Sequence, residues 1–151
     1  MLMLALAACT TGGPVSYPLS VQLADLRFAQ PGLLEQTIDL DLRFTNPNPE
    51  PIDAEGLRFT MELNGATFGT GVGDVAFELP RLGEVVVPVT MRVQTAELIN
   101  RVLAFNGNAI DYRITGDLFQ TDGIGGALAF SGDSSIAVPD FQALLRSELG
   151  N

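Results

Sequence analysis

Histidine and lysine are both absent from this chain, and cysteine occurs once. Losing histidine removes the commonest general base, the commonest metal ligand and the middle member of most hydrolytic triads. Losing lysine removes the Ser-x-x-Lys dyad, so nothing stands ready to activate Ser16, Ser20, Ser131, Ser134 or Ser147. The lone Cys9 excludes an internal disulfide and a cysteine-based zinc site, so the fold must stand on packing alone. No catalytic residue, no cofactor and no metal ligand is assigned, and the chain is not expected to be an enzyme.

Positive charge is also scarce. Eight basic residues face eighteen acidic ones, a formal charge of -10. Such a surface repels phosphate backbones and anionic headgroups, which argues against a nucleic-acid partner and reads as a solvated acidic exterior. What is plentiful is apolar material: 46% of the 151 residues are hydrophobic and 17% charged, enough for one domain with a real core.

The opening residues carry a distinct signal. Met1 to Ala8 is an apolar run, too short to span a bilayer as a helix, that ends in Leu6-Ala7-Ala8-Cys9 and gives way to Thr10-Thr11-Gly12-Gly13-Pro14. Small residues before a scissile bond suit the narrow subsites of a signal peptidase. Leu-Ala-Ala-Cys resembles the lipobox of bacterial lipoproteins. That resemblance implies cleavage after Ala8 and acylation of Cys9, with two or three chains giving stable anchoring. Thr10, not being aspartate, implies outer-membrane sorting with the domain facing the periplasm. One departure is the absence of Lys or Arg before Arg27, where a signal peptide normally opens with positive charge; a start further upstream would account for it.

The body of the chain alternates. Ile38, Leu40, Leu42 and Phe44 fall on one face of a strand whose other face is Thr37, Asp39, Asp41, Arg43 and Thr45. Leu57, Phe59, Met61 and Leu63 repeat the pattern, as do Val85, Val87, Val89, Met91 and Val93. Val21 and Leu23 are out of phase with Leu26 and Phe28, which predicts a β-bulge near Ala24-Asp25. Further strands are expected at Val75 to Leu79, at Ile110 to Phe119 with Tyr112 and Ile114 inward, and at Ala127 to Val138 with Leu128 and Phe130 inward before Gly132 interrupts. Helical spacing appears at Leu98, Ile99, Val102, Leu103 and Phe105, with Thr95 as N-cap and Gly107 as stop. A second, C-terminal helix is expected where Asp140 caps Phe141, Leu144, Leu145 and Leu149.

Strands with one apolar face must bury it against another layer, and short connections favour antiparallel pairing. The expected fold is therefore all-β: an immunoglobulin- or fibronectin III-like antiparallel β-sandwich of about seven strands, with one short helix at Leu98 to Phe105 capping an end. The expected organisation is a signal segment at 1–9, a flexible tether at 10–19, the sandwich at 20–138 and a tail at 139–151.

Between two of the clearest strands lies Asn46-Pro47-Asn48-Pro49-Glu50-Pro51, where prolines fix φ and asparagine side chains can fold onto nearby backbone. A strand ending Phe44-Thr45 and running into Asn-Pro-Asn-Pro resembles the signature of the type 2 late embryogenesis abundant (LEA) family, also called the water stress and hypersensitive response domain. Leu63-Asn64-Gly65, the valine-rich strand at Val85 to Val93, the helix near Leu98 and Asp111-Tyr112-Arg113-Ile114-Thr115-Gly116 follow in the family's order. The likeness covers roughly Ser20 to Val138. It implies a non-catalytic, lipid-anchored envelope protein acting in desiccation and stress tolerance or in protein contacts, with the Asn46 to Pro49 turn structural. An alternative is a carrier in which two splayed sheets line a groove for an apolar ligand such as lipid.

Two tempting sites carry less. Gly69-Thr70-Gly71-Val72-Gly73-Asp74 lacks the final glycine of a dinucleotide fingerprint and any P-loop lysine, and reads as a hairpin using glycine-permitted φ. Asp39 and Asp41 on one strand face, and the stretch Asp122-Gly123-Ile124-Gly125-Gly126 with Asp133, fall short of calcium-loop spacing and read as solvated carboxylates.

Overall fold

The computed structural model describes residues 16–30, 32–105, 107–121 and 126–137. Cys9 and its lipobox, most of the tether, the Asp122 to Gly125 stretch and the C-terminal helix expected from Asp140 lie outside the described residues.

Among the described residues eight strands and one helix follow in order: β1 (Leu19–Gln30), β2 (Glu35–Thr45), β3 (Ile52–Leu63), β4 (Ala66–Gly73), β5 (Phe77–Leu79), β6 (Glu84–Gln94), α1 (Thr95–Ala104), β7 (Ala109–Gln120) and β8 (Ala127–Ala137). The expected two-layer sandwich is not formed. One sheet runs β4-β6-β2-β1-β8-β7-β3, and β3 pairs back onto β4, closing a seven-strand barrel with β5 added alongside β3.

Closure depends on β4, and β4 depends on glycine. Gly69, Gly71 and Gly73 stand opposite Met61, Phe59 and Leu57 of β3, so from Gly69 onward the face that β4 turns inward has no side chains, Phe68 being the one large residue buried at its start. A Cβ on Gly71 would lie 2.4 Å from the Phe59 ring and 2.6 Å from the Thr90 carbonyl oxygen of β6. A stretch of strand with no side chains on its inner face can draw β3 and β6 close together over a small radius. The Gly69 to Gly73 segment is thus a strand, not the expected hairpin loop, and positive-φ glycines occur among the described residues only at Gly65 and Gly126. The turn itself lies one step earlier: Asn64 (φ 47°) and Gly65 (φ 82°) form the two-residue link between β3 and β4 that right-handed strand twist favours.

Opposite β4 the barrel closes differently. β1 and β8 pair in parallel, not antiparallel as expected, and only at Leu19 with Phe130 and Ser20 with Ser131. No short loop joins these two strands, so nothing forces them to run in opposite directions. Gly132 does not interrupt β8; its bare Cα lets the Val21 carbonyl approach to a distance that any side chain would block. Beyond that point the Tyr112 hydroxyl bridges the seam by accepting a hydrogen bond from the Leu23 amide at 3.1 Å. The anticipated bulge is present between Leu23 and Asp25.

The inward residues fill the barrel. Ile38, Leu40, Leu42 and Phe44 have no exposed surface, and Leu57, Phe59, Met61, Val87, Val89, Met91, Val93, Tyr112, Ile114, Leu118 and Phe130 are buried with them. Phe44 sets its ring at right angles to that of Phe130, 4.9 Å between centroids, a favoured aromatic geometry. The Phe130 ring takes space left by Gly116, whose Cβ would lie 2.6 Å from it. Leu23, Leu26, Leu63, Val85, Leu98 and Leu128 complete the core only in part. Phe28 sits opposite Ile38 in register yet is 63% exposed, because that part of β1 has no strand paired to it on the β8 side.

The helix α1 covers one end of the barrel. It begins earlier than its apolar spacing indicates, and its N-cap is Gln94, which makes no side-chain capping bond. Thr95, expected as the cap, instead ties the helix down: its hydroxyl donates to the Gly32 carbonyl at 3.1 Å and its amide donates to the Leu34 carbonyl at 2.9 Å. The Gln36 side-chain Nε2 donates to the same Gly32 carbonyl at 2.6 Å.

Candidate functional site

Strand direction gives the barrel two unlike ends. At the first lie the start of β1, the link from β2 to β3 and the link from β5 to β6; at the second lie the β1–β2 loop, the Asn64-Gly65 turn, α1 and the end of β8.

The Asn-Pro-Asn-Pro turn organises the first end. Asn46 is 1% exposed and Asn48 9%, unusual burial for amides, and every polar atom of theirs in that interior is hydrogen bonded. The Asn46 side chain accepts from the Asn48 amide at 3.0 Å and donates to the carbonyls of Glu50 (2.8 Å) and Pro80 (3.3 Å). Asn48 exchanges two bonds with the Tyr17 backbone, accepting at 2.7 Å and donating at 2.9 Å. The main chain adds Asn46 N–H to the Gly83 carbonyl and Leu82 N–H to the Asn48 carbonyl. Pro47 and Pro49 hold the backbone extended between these anchors. The motif is a clasp joining three remote segments, with the side-chain amides of Asn46 and Asn48 engaged within the protein.

Several carboxylates on the outer face are engaged, most of them by arginine. Arg27 pairs with Asp25 and, at 3.0 Å, with Asp41, while Asp39 accepts from the Thr90 hydroxyl at 3.3 Å. The Arg27 guanidinium is raised above its ordinary pKa, first by the hydrogen bond to Asp41 and then by the charges of Asp41, Asp25 and Asp39. Arg58 meets Asp117 at 2.9 Å and lies 5.5 Å from the centre of the Phe119 ring. Among the described residues no three carboxylate or cysteine side chains come together as a metal site. The outer sheet also forms a broad, shallow trough of about 1100 Å³ whose floor includes Thr60, Thr70, Thr115 and Ser131.

The second end is apolar. Leu63, Phe68, Leu98, Val102, Phe105 and Ile110, with Asn64 and Arg101, enclose a cleft of about 230 Å³ between α1 and the rim of the barrel. Ile99 is 51% exposed and Leu103 78%, and Leu33, Leu34, Phe28 and Ile136 are exposed at the same end. No residue of α1 is fully buried. Sequence spacing marks Leu98 and Val102 as helical neighbours, but it does not show that Ile110 of β7 and Phe68 of β4 complete a cleft with them.

Residues 41–131 match the model of the late embryogenesis abundant protein family, type 2, and the chain belongs to that family. The matched span runs from β2 into β8 and includes the Asn46 to Pro49 clasp, the glycine strand and α1. No curated protein sequence matches the chain. Among solved structures it is similar to AT1g01470 of Arabidopsis thaliana, at 18% identity and a TM-score of 0.55, covering 91% of each chain. It is also similar to a protein from Archaeoglobus fulgidus, at 16% identity and a TM-score of 0.44, covering 78% of this chain and 98% of that one. A candidate late embryogenesis abundant protein, At2g46140.1, gives 16% identity and a TM-score of 0.47 over 82% of this chain and 73% of its own.

Proposed function

We propose that the chain is a non-catalytic envelope lipoprotein, tethered through acylated Cys9 to the periplasmic face of the outer membrane and acting in desiccation and stress tolerance. The observation that carries this reading is the family match over residues 41–131. The Leu6-Ala7-Ala8-Cys9 sequence supports the tether, since acyl chains on Cys9 would provide the anchor. The absence of histidine and lysine supports a role without bond chemistry. The inward residues of β2 have no exposed surface, which favours action through the exterior over a carrier whose sheets splay around a ligand. Labelling with a radioactive fatty acid should mark the wild type and leave Cys9→Ser unmarked; an unlabelled wild type rejects the anchor. A deletion strain should survive drying or osmotic shock worse than its parent, and equal survival rejects the stress role.

A further inference from the structure

On the outer face of the barrel the strand register lines up hydroxyl groups. Thr70 of β4 stands beside Thr60 of β3, Thr60 beside Thr115 of β7, and Thr115 beside Ser131 of β8. Ser20 of β1 and Thr45 of β2 continue the row around the barrel. The rows above and below it are charged instead, with Arg58 opposite Asp117 and Glu62 opposite Arg113. Thr70, Thr115 and Ser131 are exposed and Thr60 is half-buried, and these four lie in the trough of about 1100 Å³. Neighbouring strands stand about 4.8 Å apart, so the four hydroxyls span about 14 Å. The trough is also electrically balanced, its lining setting Arg58 and Arg92 against Asp74 and Asp117 in a chain whose formal charge is -10. Arg58 gives Asp117 two bonds, from Nε at 3.0 Å and from Nη2 at 2.9 Å, so this pair cancels its own charge. The acidic exterior repels an anion and draws a cation to other parts of the surface. An uncharged ligand rich in hydroxyls suits the trough, because each Ser or Thr hydroxyl both donates and accepts.

We propose that the trough binds an uncharged oligosaccharide laid across β4, β3, β7 and β8, with Thr70, Thr60, Thr115 and Ser131 meeting successive sugar rings. An extended chain of sugars presents a fresh hydroxyl-bearing ring at intervals close to the strand spacing, so it is met at every strand. A single sugar reaches one or two of these hydroxyls.

Amide NMR shifts of the full chain, followed as cellohexaose is added, test this. The shifts that move should cluster around Thr60, Thr115 and Ser131, and the hexasaccharide should bind about tenfold tighter than glucose, the yield of one or two added hydrogen bonds. Thr60→Val/Thr115→Val keeps side-chain shape and strand preference while removing two hydroxyls, and should weaken binding about tenfold. Thr67→Val removes a hydroxyl outside the row and should bind like the wild type. In case the double variant unfolds, Ser131→Ala tests the row from its other end and should weaken binding about threefold. Affinity should be equal in dilute buffer and in high salt, since no charges are brought together. Unmoved shifts with cellohexaose overturn the proposal, as do glucose binding as tightly as the hexasaccharide and full affinity in the hydroxyl variants. Affinity that collapses in salt overturns it too, by showing a site for a charged ligand.

Discussion

Asn46 shows how much one side chain carries. It serves Glu50, Pro80 and Asn48 from a site almost closed to water, so Asn46→Ala orphans several buried backbone groups. Urea unfolding should show a loss of about 2–3 kcal/mol, the cost of leaving such groups unpaired. Asn46→Asp should be worse at neutral pH, where a carboxylate would face two carbonyls, and should recover as acid protonates it. Arg27 behaves in the opposite manner, being exposed. Its raised pKa means that its stabilising charge is complete at every pH below its unfolded value and is lost only as pH climbs through the higher folded one. The contribution of Arg27 is therefore flat across neutral pH. Arg27→Ala should lower the melting temperature most in dilute buffer, and the difference should shrink in high salt. The motif was legible as a turn from Asn-Pro-Asn-Pro, but its partners were not: Tyr17 and Pro80 lie 31 and 34 positions from the asparagines they bond.

At the level of the element, β4 decides the architecture. Gly71→Ala should cost about 2–3 kcal/mol, since the new methyl meets both the Phe59 ring and the Thr90 carbonyl, with Thr70→Val within about 0.5 kcal/mol as an exposed control. Combining Gly71→Ala with Phe59→Leu should restore part of the loss, and strict additivity in urea unfolding would show that the ring is not the obstacle. The same strand explains why the barrel was hidden in the sequence. β2, β3 and β6 announce themselves through alternating apolar residues, but the inner face of β4 is glycine from Gly69 onward and sends no such signal. Period two says which face a residue takes and never which strand lies next to it. Once β4 is read as a loop, β3 and β6 lose the strand that joins them, and two stacked sheets become the natural expectation. The apolar cleft was hidden for the same reason, because its lining comes from α1, β3, β4 and β7 together.

For the molecule as a whole, charge and packing act separately. With eighteen acidic residues against eight basic, mutual repulsion outweighs the few arginine pairs, so moderate salt should raise the melting temperature. Falling stability on adding salt would show that the pairs dominate. Reducing agents should leave unfolding unchanged, as Cys9 has no partner within the chain. Calcium titration by calorimetry should give no heat beyond dilution if Asp39 and Asp41 keep their partners in Thr90 and Arg27.

The parallel seam between β1 and β8 has a mechanical meaning. The two strands leave the barrel at opposite ends, β1 toward Tyr17 and β8 past Ala137. Tension applied between those points slides β1 lengthwise against its neighbours, loading many ladder bonds to β2 together instead of opening them one after another. A domain held at its N-terminus and tugged from the far side would therefore yield slowly, at a rate set by its unfolding barrier.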